Sequence, residues 1–150
     1  MLGDYEYHDS FQPEGCSITI NTTAVTAGGG SYVSEIYYQL NLHNQTAIDG
    51  MGSEVTMGGY WTGGGHSPLL AMYGLGADQV YQVEMVTPMG EIITANECQN
   101  TDLFWAIRGV SFKSPEHFRR SLTFSGWRRN IWSFDESHDS NNPIPSTRSL

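Results

Sequence analysis

Glycines are the residues of this chain that most strongly indicate a binding site. Three of them, Gly63 to Gly65, precede His66 and a Ser-Pro pair, and two more follow at positions 74 and 76. Glycine costs about 0.5–1 kcal/mol relative to alanine inside a helix or strand, so such a run is typical of backbone that needs a positive φ or no Cβ. Backbone of this kind can approach a ligand closely. The segment is therefore predicted to bind a ligand through its main chain.

The distribution of charge limits what that ligand can be and how it is held. The chain of 150 residues carries 7 Lys and Arg against 16 Asp and Glu, a formal net charge of −9. All seven basic residues lie at or after position 108, whereas 12 of the acidic residues precede it. An acidic surface repels polyanions, which argues against a nucleic-acid partner. A phosphate bound in the first part of the chain would need backbone N–H groups, hydroxyls or helix N-termini.

Three helices are predicted to surround and follow these glycines. Residues 31–44 begin with a serine, a good N-cap, and their apolar residues recur at i, i+3, i+4 and i+7, as in an amphipathic helix. Residues 67–74 begin with Ser-Pro, typical of an N-cap and first helical position, and end in glycine. The glycine run therefore leads into a helix N-terminus. A last short helix is expected at 102–107, capped by its aspartate.

The strand signals indicate a small sheet beside these helices. Residues 1–22 are expected to be irregular, and the apolar residues scattered among seven glycines in 48–65 are expected to form no ordinary core element. The last fifteen residues, which are poor in apolar side chains, are expected to be disordered. Turn residues and β-branched runs predict the following strands, the last two as a hairpin: 24–26, 79–87 and 91–94.

Several other sites are excluded by the absence of their motifs. The glycine run has no following GK[ST] and is no Walker P-loop, and the G-x-G-x-x-G fingerprint is absent. The 5 histidines are too scattered to propose a metal site. No segment has the length and apolar character of a membrane span, and the first residues do not predict a signal peptide.

The cysteines and two asparagines bear on the compartment. Cys16 and Cys98 form no C-x-x-C motif and permit one disulfide. Asn21 and Asn44 each begin an N-x-T glycosylation sequon, which fits a secreted protein, although such tripeptides also arise by chance. The sequence leaves the compartment open.

A series of linked motifs covers roughly residues 8–109. In chain order the main ones are GGYWTGGGHSPL at 58–69, YGLGADQV at 73–80, VTPMG at 86–90 and NTDLFWAIRG at 100–109. Their order and spacing resemble the FAD-linked oxidases of the vanillyl-alcohol oxidase and berberine-bridge-enzyme type, most closely the fungal members. The resemblance implies an α+β, PCMH-type FAD-binding domain, of which residues 1–109 would form part of the second subdomain. Residues 110–150 leave the family pattern and are expected to be a divergent, irregular tail.

The resemblance also implies which residues contact FAD. Tyr60 and Trp61 would either lie beside the flavin ring or fill the subdomain core, and His66 would either face the flavin or hydrogen-bond within its loop. Asp78 is interpreted first as a turn or capping residue. The cofactor-binding residues that the resemblance implies are five along the flavin and its pyrophosphate and one near the adenine: Gly58, Gly59, Gly64, Gly65, His66 and Val86.

The chain departs from the family at positions that matter for catalysis. Family members bind pyrophosphate and anchor FAD covalently through an upstream R-x-x-G-H loop, which a chain with no arginine before Arg108 does not contain. Some members add a cysteine linkage at the position aligned with Gly52, and many have glycine where this chain has Thr56. The groups that relatives contribute from a substrate domain are absent as well, so no catalytic residue is predicted.

Three interpretations of the function follow from these observations. The first is a fragment of an FAD-dependent oxidoreductase that takes a hydride from an alcohol, amine or sugar carbon, inactive by itself, with FAD and a small-molecule substrate as partners of its intact relatives. The alternatives are a secreted, glycine- and aromatic-rich binding module without flavin, or the product of a defective gene. Half of a clamp also leaves apolar side chains without a partner, which predicts self-association through Met51, Met57, Tyr60, Trp61 and Leu70.

Overall fold

The computed structural model describes residues 5–109, 121–125 and 127–128, and their architecture is α+β, as expected. Four short helices and a 3-10 turn at Gly76–Gln79 connect the strands. The helices are α1 (Val33–Leu42), α2 (Met57–Thr62), α3 (Leu70–Tyr73) and α4 (Thr101–Ile107). The strands are β1 (Tyr5–His8), β2 (Ala24–Gly28), β3 (Gln45–Thr46), β4 (Val80–Val86), β5 (Ile92–Asn96), β6 (Ser121–Ser125) and β7 (Trp127–Arg128).

Five of these strands form one antiparallel sheet in the order β1-β2-β6-β4-β5. The strand β6 occupies the middle, where it pairs with β2 on one side and with β4 on the other. The two-residue strands β3 and β7 pair separately. A single strand, β6, thus separates β4 from β2, the strand that leads into the glycine-rich turn 28–30.

The helix α1 covers the core as its sequence pattern predicts. Its stripe residues Val33, Ile36 and Leu40 are fully buried, because spacings of three and four bring them to one face of the helix. The N-cap is Tyr32 rather than the predicted Ser31. The Ser31 N–H donates to the Gly28 carbonyl over 2.9 Å and closes the turn after β2, while the Glu35 carboxylate accepts the Tyr32 N–H at 2.9 Å.

The predicted hairpin of β4 and β5 is confirmed, with Val86 opposite Ile92 in the register. Gly90 supplies the positive φ that its turn requires, at 85°. The predicted helix after the glycine run is also confirmed as α3, although Leu69 and not Ser67 is its N-cap. The Ser67 hydroxyl still accepts the Leu69 N–H, at 3.2 Å.

Three expectations about the remaining elements are wrong. Residues 1–22 include the strand β1, whose register with β2 pairs Tyr7 with Val25. The last helix is capped by Asn100, in a left-handed conformation with φ 49°, so that Asp102 lies within the first turn. The segment 48–65 contains α2, a core helix that the number of glycines concealed.

The segment predicted to be a divergent tail, residues 110–150, lies largely outside the described residues, including the fifteen residues predicted to be disordered. Two parts of it are described, the strands β6 and β7. Through β6 this segment contributes the middle strand of the main sheet. A domain boundary at residue 109 stays a prediction.

The disulfide that the sequence permits is present between Cys16 and Cys98. The two Cα atoms are 5.4 Å apart and the cysteines are separated by 82 positions. The fully buried Asn96 organises this region, because its Oδ1 accepts the Cys98 N–H at 2.8 Å and its Nδ2 donates to the Glu14 carbonyl at 2.9 Å. The N-terminal segment is thereby fixed to the end of β5.

Candidate functional site

The helix α2 positions the centre of the candidate site. It buries Met57 and Trp61, which are four residues apart and therefore share one face, leaving 0% and 2% of their surfaces exposed. Trp61 is therefore a core residue, which decides between its two interpretations. The expectation that both belong to an exposed apolar face is wrong, because α2 turns them inward. Met51 and Leu70, from the same predicted set, are exposed.

Gly58 and Gly59 are adjacent in α2 but have different surroundings. A Cβ on Gly58 would lie 2.9 Å from the Gly29 carbonyl oxygen, and the Gly58 N–H donates to that oxygen over 2.8 Å. A Cβ on Gly59 would meet only the Thr56 hydroxyl, at 3.5 Å, and Gly59 is exposed. Gly58 therefore lets α2 pack against the turn after β2, while Gly59 leaves the outer face of the helix bare.

The next two predicted residues, Gly64 and Gly65, both have a positive φ, at 98° and 72°. The Gly76 N–H donates to the Gly65 carbonyl at 2.8 Å, and the Ala77 N–H donates to the Gly64 carbonyl at 3.2 Å. A Cβ on Gly65 would lie 2.9 Å from the Gly76 Cα, whereas a Cβ on Gly64 would have nothing within 4 Å. The pair is thus anchored on one side by the 3-10 turn. Both glycines are buried, and of the two only Gly64 has space for a side chain.

His66 lies at the exposed end of this loop. The Tyr60 hydroxyl donates to the His66 carbonyl over 2.6 Å, which ties α2 to the glycine run. The imidazole itself is exposed. Burial, followed by the negative charge of Asp49, raises the pKa of Tyr60, so that its hydroxyl stays a hydrogen-bond donor throughout the neutral range.

The sixth predicted residue, Val86, lies apart from the other five. It is the last residue of β4, a strand that begins at Val80 directly after the 3-10 turn. Seven strand residues extend about 20 Å. The structure therefore brings together Gly58, Gly59, Gly64, Gly65 and His66 and leaves Val86 at the far end of β4.

A buried carboxylate lies behind this glycine cluster. Asp49 is 1% exposed, and within the described part of the chain neither of its oxygens has a hydrogen-bond partner of normal geometry. The residues on either side of Asp49 in sequence show where it lies. The Ile48 carbonyl is 3.0 Å from the position that a Cβ on Gly76 would take, and Gly50 lies against the Tyr60 ring. Desolvation raises the pKa of Asp49 to about 7, and the adjacent Gly50 N–H offsets part of that rise.

The described residues provide little positive charge for an anion. Arg108 is the one Lys or Arg whose side chain is described, and its guanidinium lies 4.2 Å from the centre of the Phe104 ring at the end of α4. A separate cleft of roughly 260 Å³ beside the disulfide includes Arg108, Tyr81 and Glu97 but none of the six predicted residues. Phosphate groups at the glycine cluster would therefore meet backbone and hydroxyls.

The sequence predicted no role in this cluster for Gly29 or Asp49, and it placed Gly76 in the ligand-binding segment without predicting its contact with Gly65. Gly29 and Gly76 provide the backbone that Gly58 and Gly65 approach, and Asp49 is buried behind them. The glycines at 28–30 and at 74 and 76 could have predicted this packing, since a backbone that packs closely without side chains needs a second such backbone opposite it. Asp78 has the predicted capping role, because its carboxylate accepts the Leu75 N–H at 2.9 Å.

The described residues contain neither a membrane-spanning helix nor a metal-binding cluster of three side chains. No helix there has the length and apolar character needed to cross a bilayer. No group of three His, Cys, Asp or Glu side chains in those same ranges is arranged to hold a metal ion.

Comparison with known proteins defines the class to which this fold and cluster belong. Residues 14–96, more than half of the chain, match the FAD-binding domain family FAD_binding_4, and the chain belongs to that family. FAD is the cofactor that domains of this family bind. The predicted resemblance to vanillyl-alcohol oxidase and berberine-bridge-enzyme type proteins is confirmed.

Individual relatives point to the same class. The chain is 43% identical over 111 residues to the FAD-linked oxidoreductase OXR2 of Pyricularia oryzae, which covers 73% of this chain and 19% of that protein. It is 46% identical over 104 residues to the FAD-linked oxidoreductase ffsJ of Aspergillus flavipes, which covers 69% and 17%. The chain thus spans about a fifth of the length of these curated relatives.

A solved structure shows the same fold. The VAO-type flavoprotein MtVAO615 from Myceliophthora thermophila C1 superposes with a TM-score of 0.73 and 28% identity, over 83% of this chain and 22% of that protein. The described residues fit a flavin dinucleotide in the surroundings of three of the predicted residues. Gly59 and His66 are exposed, and Gly64 has open space where a side chain would be.

Proposed function

We propose that this chain forms part of the FAD-binding domain of an oxidoreductase that takes a hydride from an alcohol, amine or sugar carbon. We also propose that the chain has little or no turnover by itself. The observation that carries the proposal is the bare main chain at Gly59 and Gly64, held beside His66 by a family-typical glycine loop. FAD supplies the redox chemistry by accepting the hydride.

The six predicted cofactor residues are assigned two kinds of role in this proposal. Gly59, Gly64 and His66 lie along the flavin and its pyrophosphate, since each is exposed or has open space beside it. Gly58 and Gly65 position that surface indirectly, because their missing side chains let the backbone pack against Gly29 and Gly76. This difference in surroundings supports the assignment.

Val86 has a separate role in the proposal. A dinucleotide is long enough to extend from the glycine cluster toward the far end of β4. Val86 is half-buried there, opposite Ile92, and offers an apolar surface to the adenine.

The residues of the cluster are the reason for proposing that the chain has little or no turnover by itself. The family resemblance implies that relatives contribute their catalytic groups from other segments, and the described cluster offers backbone and one exposed imidazole. Without a partner, the chain would contact and orient FAD from one side only. The apolar residues Met51 and Leu70, which are exposed, support the accompanying proposal that the chain associates with another apolar surface.

A titration of FAD against the purified chain tests the site, with flavin fluorescence as the readout. Gly64→Ala and Gly90→Ala form a matched pair, because both glycines have a positive φ and open space around a new Cβ. Both variants should lose similar stability. Only Gly64→Ala should weaken FAD binding, by at least about tenfold, equivalent to about 1.4 kcal/mol.

Two outcomes contradict the proposal. If FAD fails to bind the folded wild-type chain, or if Gly90→Ala weakens binding as much as Gly64→Ala, the glycine cluster does not form the flavin surface. Flavin-dependent oxidation of an alcohol, amine or sugar by the 150-residue chain would overturn the second part, the absence of turnover.

A further inference from the structure

Two sequons remain that the flavin site does not use. They are Asn21-Thr22-Thr23 and Asn44-Gln45-Thr46, and each has the N-x-T pattern that an oligosaccharyltransferase accepts. On sequence alone such tripeptides carry little weight, because they also arise by chance. The structure adds three observations, namely the exposure of both asparagines, the redox state of the cysteines and the position of the sequons in the fold.

Both asparagines are exposed and lie outside regular structure. Asn21 follows the bridge between Phe11 and Ile20 and precedes β2. Asn44 follows the C-cap of α1 in a left-handed conformation with φ 54°. An exposed asparagine in a turn can carry a large, hydrated substituent without displacing any part of the core.

The disulfide gives an independent indication of the compartment. Cys16 and Cys98 are the only 2 cysteines of the chain, and they are bonded to each other. Disulfides form and persist in oxidising compartments such as the lumen of the endoplasmic reticulum, and they are rare in the cytosol. The lumen of the endoplasmic reticulum is also where asparagine glycosylation takes place.

The positions of the sequons are compatible with the candidate flavin site. Asn21 lies before the start of β2, whereas the turn that follows the end of β2 contacts Gly58. Asn44 lies after the end of α1, whereas the start of α1 contacts Val55, ahead of α2, through the Val33 N–H. The ten residues of α1 extend about 15 Å. Glycans on these asparagines would leave the glycine cluster open.

We propose that Asn21 and Asn44 are N-glycosylated. In each case the side-chain amide nitrogen forms a bond to C1 of the first sugar of a polyprenyl-diphosphate-linked oligosaccharide. The bond between that C1 and the diphosphate oxygen breaks, the polyprenyl diphosphate leaves, and the amide nitrogen loses one proton. No redox change accompanies the transfer, and the donor is the lipid-linked oligosaccharide of the secretory pathway.

The test is expression of the full chain, fused to a secretion signal, in a yeast host. Peptide N-glycosidase F should lower the mass of the secreted protein, and peptide mass spectrometry should find Asn21 and Asn44 converted to aspartate. Asn21→Gln and Asn44→Gln should each remove one of two glycosylation steps. Alkylation of thiols should label the cysteines only after reduction.

The sequon threonines provide a matched control that keeps both asparagines. Thr23→Ser and Thr46→Ser should retain the glycans, whereas Thr23→Ala and Thr46→Ala should lose them. Where an alanine variant is not secreted, the Asn→Gln variant of the same sequon decides. An unchanged mass after glycosidase treatment overturns the proposal, as does a glycan that persists in an alanine variant or cysteines that are alkylated without reduction.

Discussion

Gly76 donates its N–H to the carbonyl of Gly65 across 2.8 Å, and a Cβ on Gly65 would lie 2.9 Å from the Gly76 Cα. The two glycines therefore form a backbone contact that no other residue type allows at this distance. Through this contact the loop after α2 is fixed to the 3-10 turn that leads into β4. The neighbouring Gly64 keeps its place because Gly65 is held in this way.

Replacement of Gly65 by alanine should separate the two backbones. The φ of 72° is itself unfavourable for alanine, by about 1–2 kcal/mol. The close approach to Gly76 adds to that cost, so Gly65→Ala should lower the free energy of unfolding by about 3–4 kcal/mol. Gly90→Ala is the control, because Gly90 has φ 85° and no atom near the new Cβ. This variant should lose only about 1–2 kcal/mol, the part of the Gly65→Ala loss that comes from the positive φ. Urea unfolding measures both, and equal losses would contradict the contact.

Gly58 and Gly59 offer a second matched pair within one helix. Alanine is favoured over glycine in a helix interior by about 1 kcal/mol, so Gly59→Ala should be neutral or stabilising by up to that amount. Gly58→Ala should instead destabilise by about 1–3 kcal/mol, because the methyl group meets the Gly29 carbonyl at 2.9 Å. Thermal unfolding should therefore shift the two midpoints in opposite directions. A Gly58→Ala variant as stable as Gly59→Ala would show that α2 does not pack against the turn 28–30.

The buried Asp49 should make stability depend on pH. Its pKa is raised from 3.8 to about 7 by burial, so the folded protein holds a proton that the unfolded chain releases. The resulting stability is fully present below pH 3.8 and is lost as the pH rises to about 7. Asp49→Asn should abolish this decline, which is on the order of 4 kcal/mol.

The measurement for Asp49 is urea unfolding of wild type and variant at several pH values between 4 and 8. The difference between the two curves isolates this carboxyl from the other acidic groups. Glu54→Gln, at an exposed position, removes the same charge and serves as the control. Parallel curves for wild type and Asp49→Asn would contradict a buried, protonated Asp49.

The disulfide should contribute a large part of the stability of so small a core. Cys16 and Cys98 are separated by 82 positions, and the entropy of closing such a loop corresponds to about 4–5 kcal/mol. The double variant Cys16→Ser with Cys98→Ser should lose about this amount in denaturant unfolding. Reduction of the wild-type protein should reproduce the loss, and an unchanged midpoint after reduction would contradict it.

The parts of the fold that were predicted correctly depend on neighbours in sequence. The stripe of α1 and the turn at Gly90 are local, since each requires a spacing or a φ that a few consecutive residues specify. The helix α2 was missed because Met57 and Trp61 form one short apolar stripe among glycines, and the fold buries them against non-local partners. Tertiary packing here outweighed a poor helix propensity.

Five of the six predicted site residues lie together in the fold, but the sequence did not predict that their surroundings differ. Sequence treats Gly58 and Gly59 alike, because the difference between them is the carbonyl of Gly29, which the fold brings within reach of one and not of the other. The burial of Asp49 is likewise a property of three-dimensional packing. Isolated acidic residues carry no periodic signal that would have predicted it.

The central position of β6 has a consequence for how the protein is made. During vectorial synthesis on the ribosome, β1, β2, β4 and β5 emerge first, but β2 and β4 have no register with each other and pair through β6 alone. Nascent chains would thus hold two separate hairpins, β1-β2 and β4-β5, until Ser121–Ser125 leaves the exit tunnel. Contacts as remote as Ala27 with Leu122 close the sheet last, which makes folding slow and leaves two strand edges open to chaperones in the meantime.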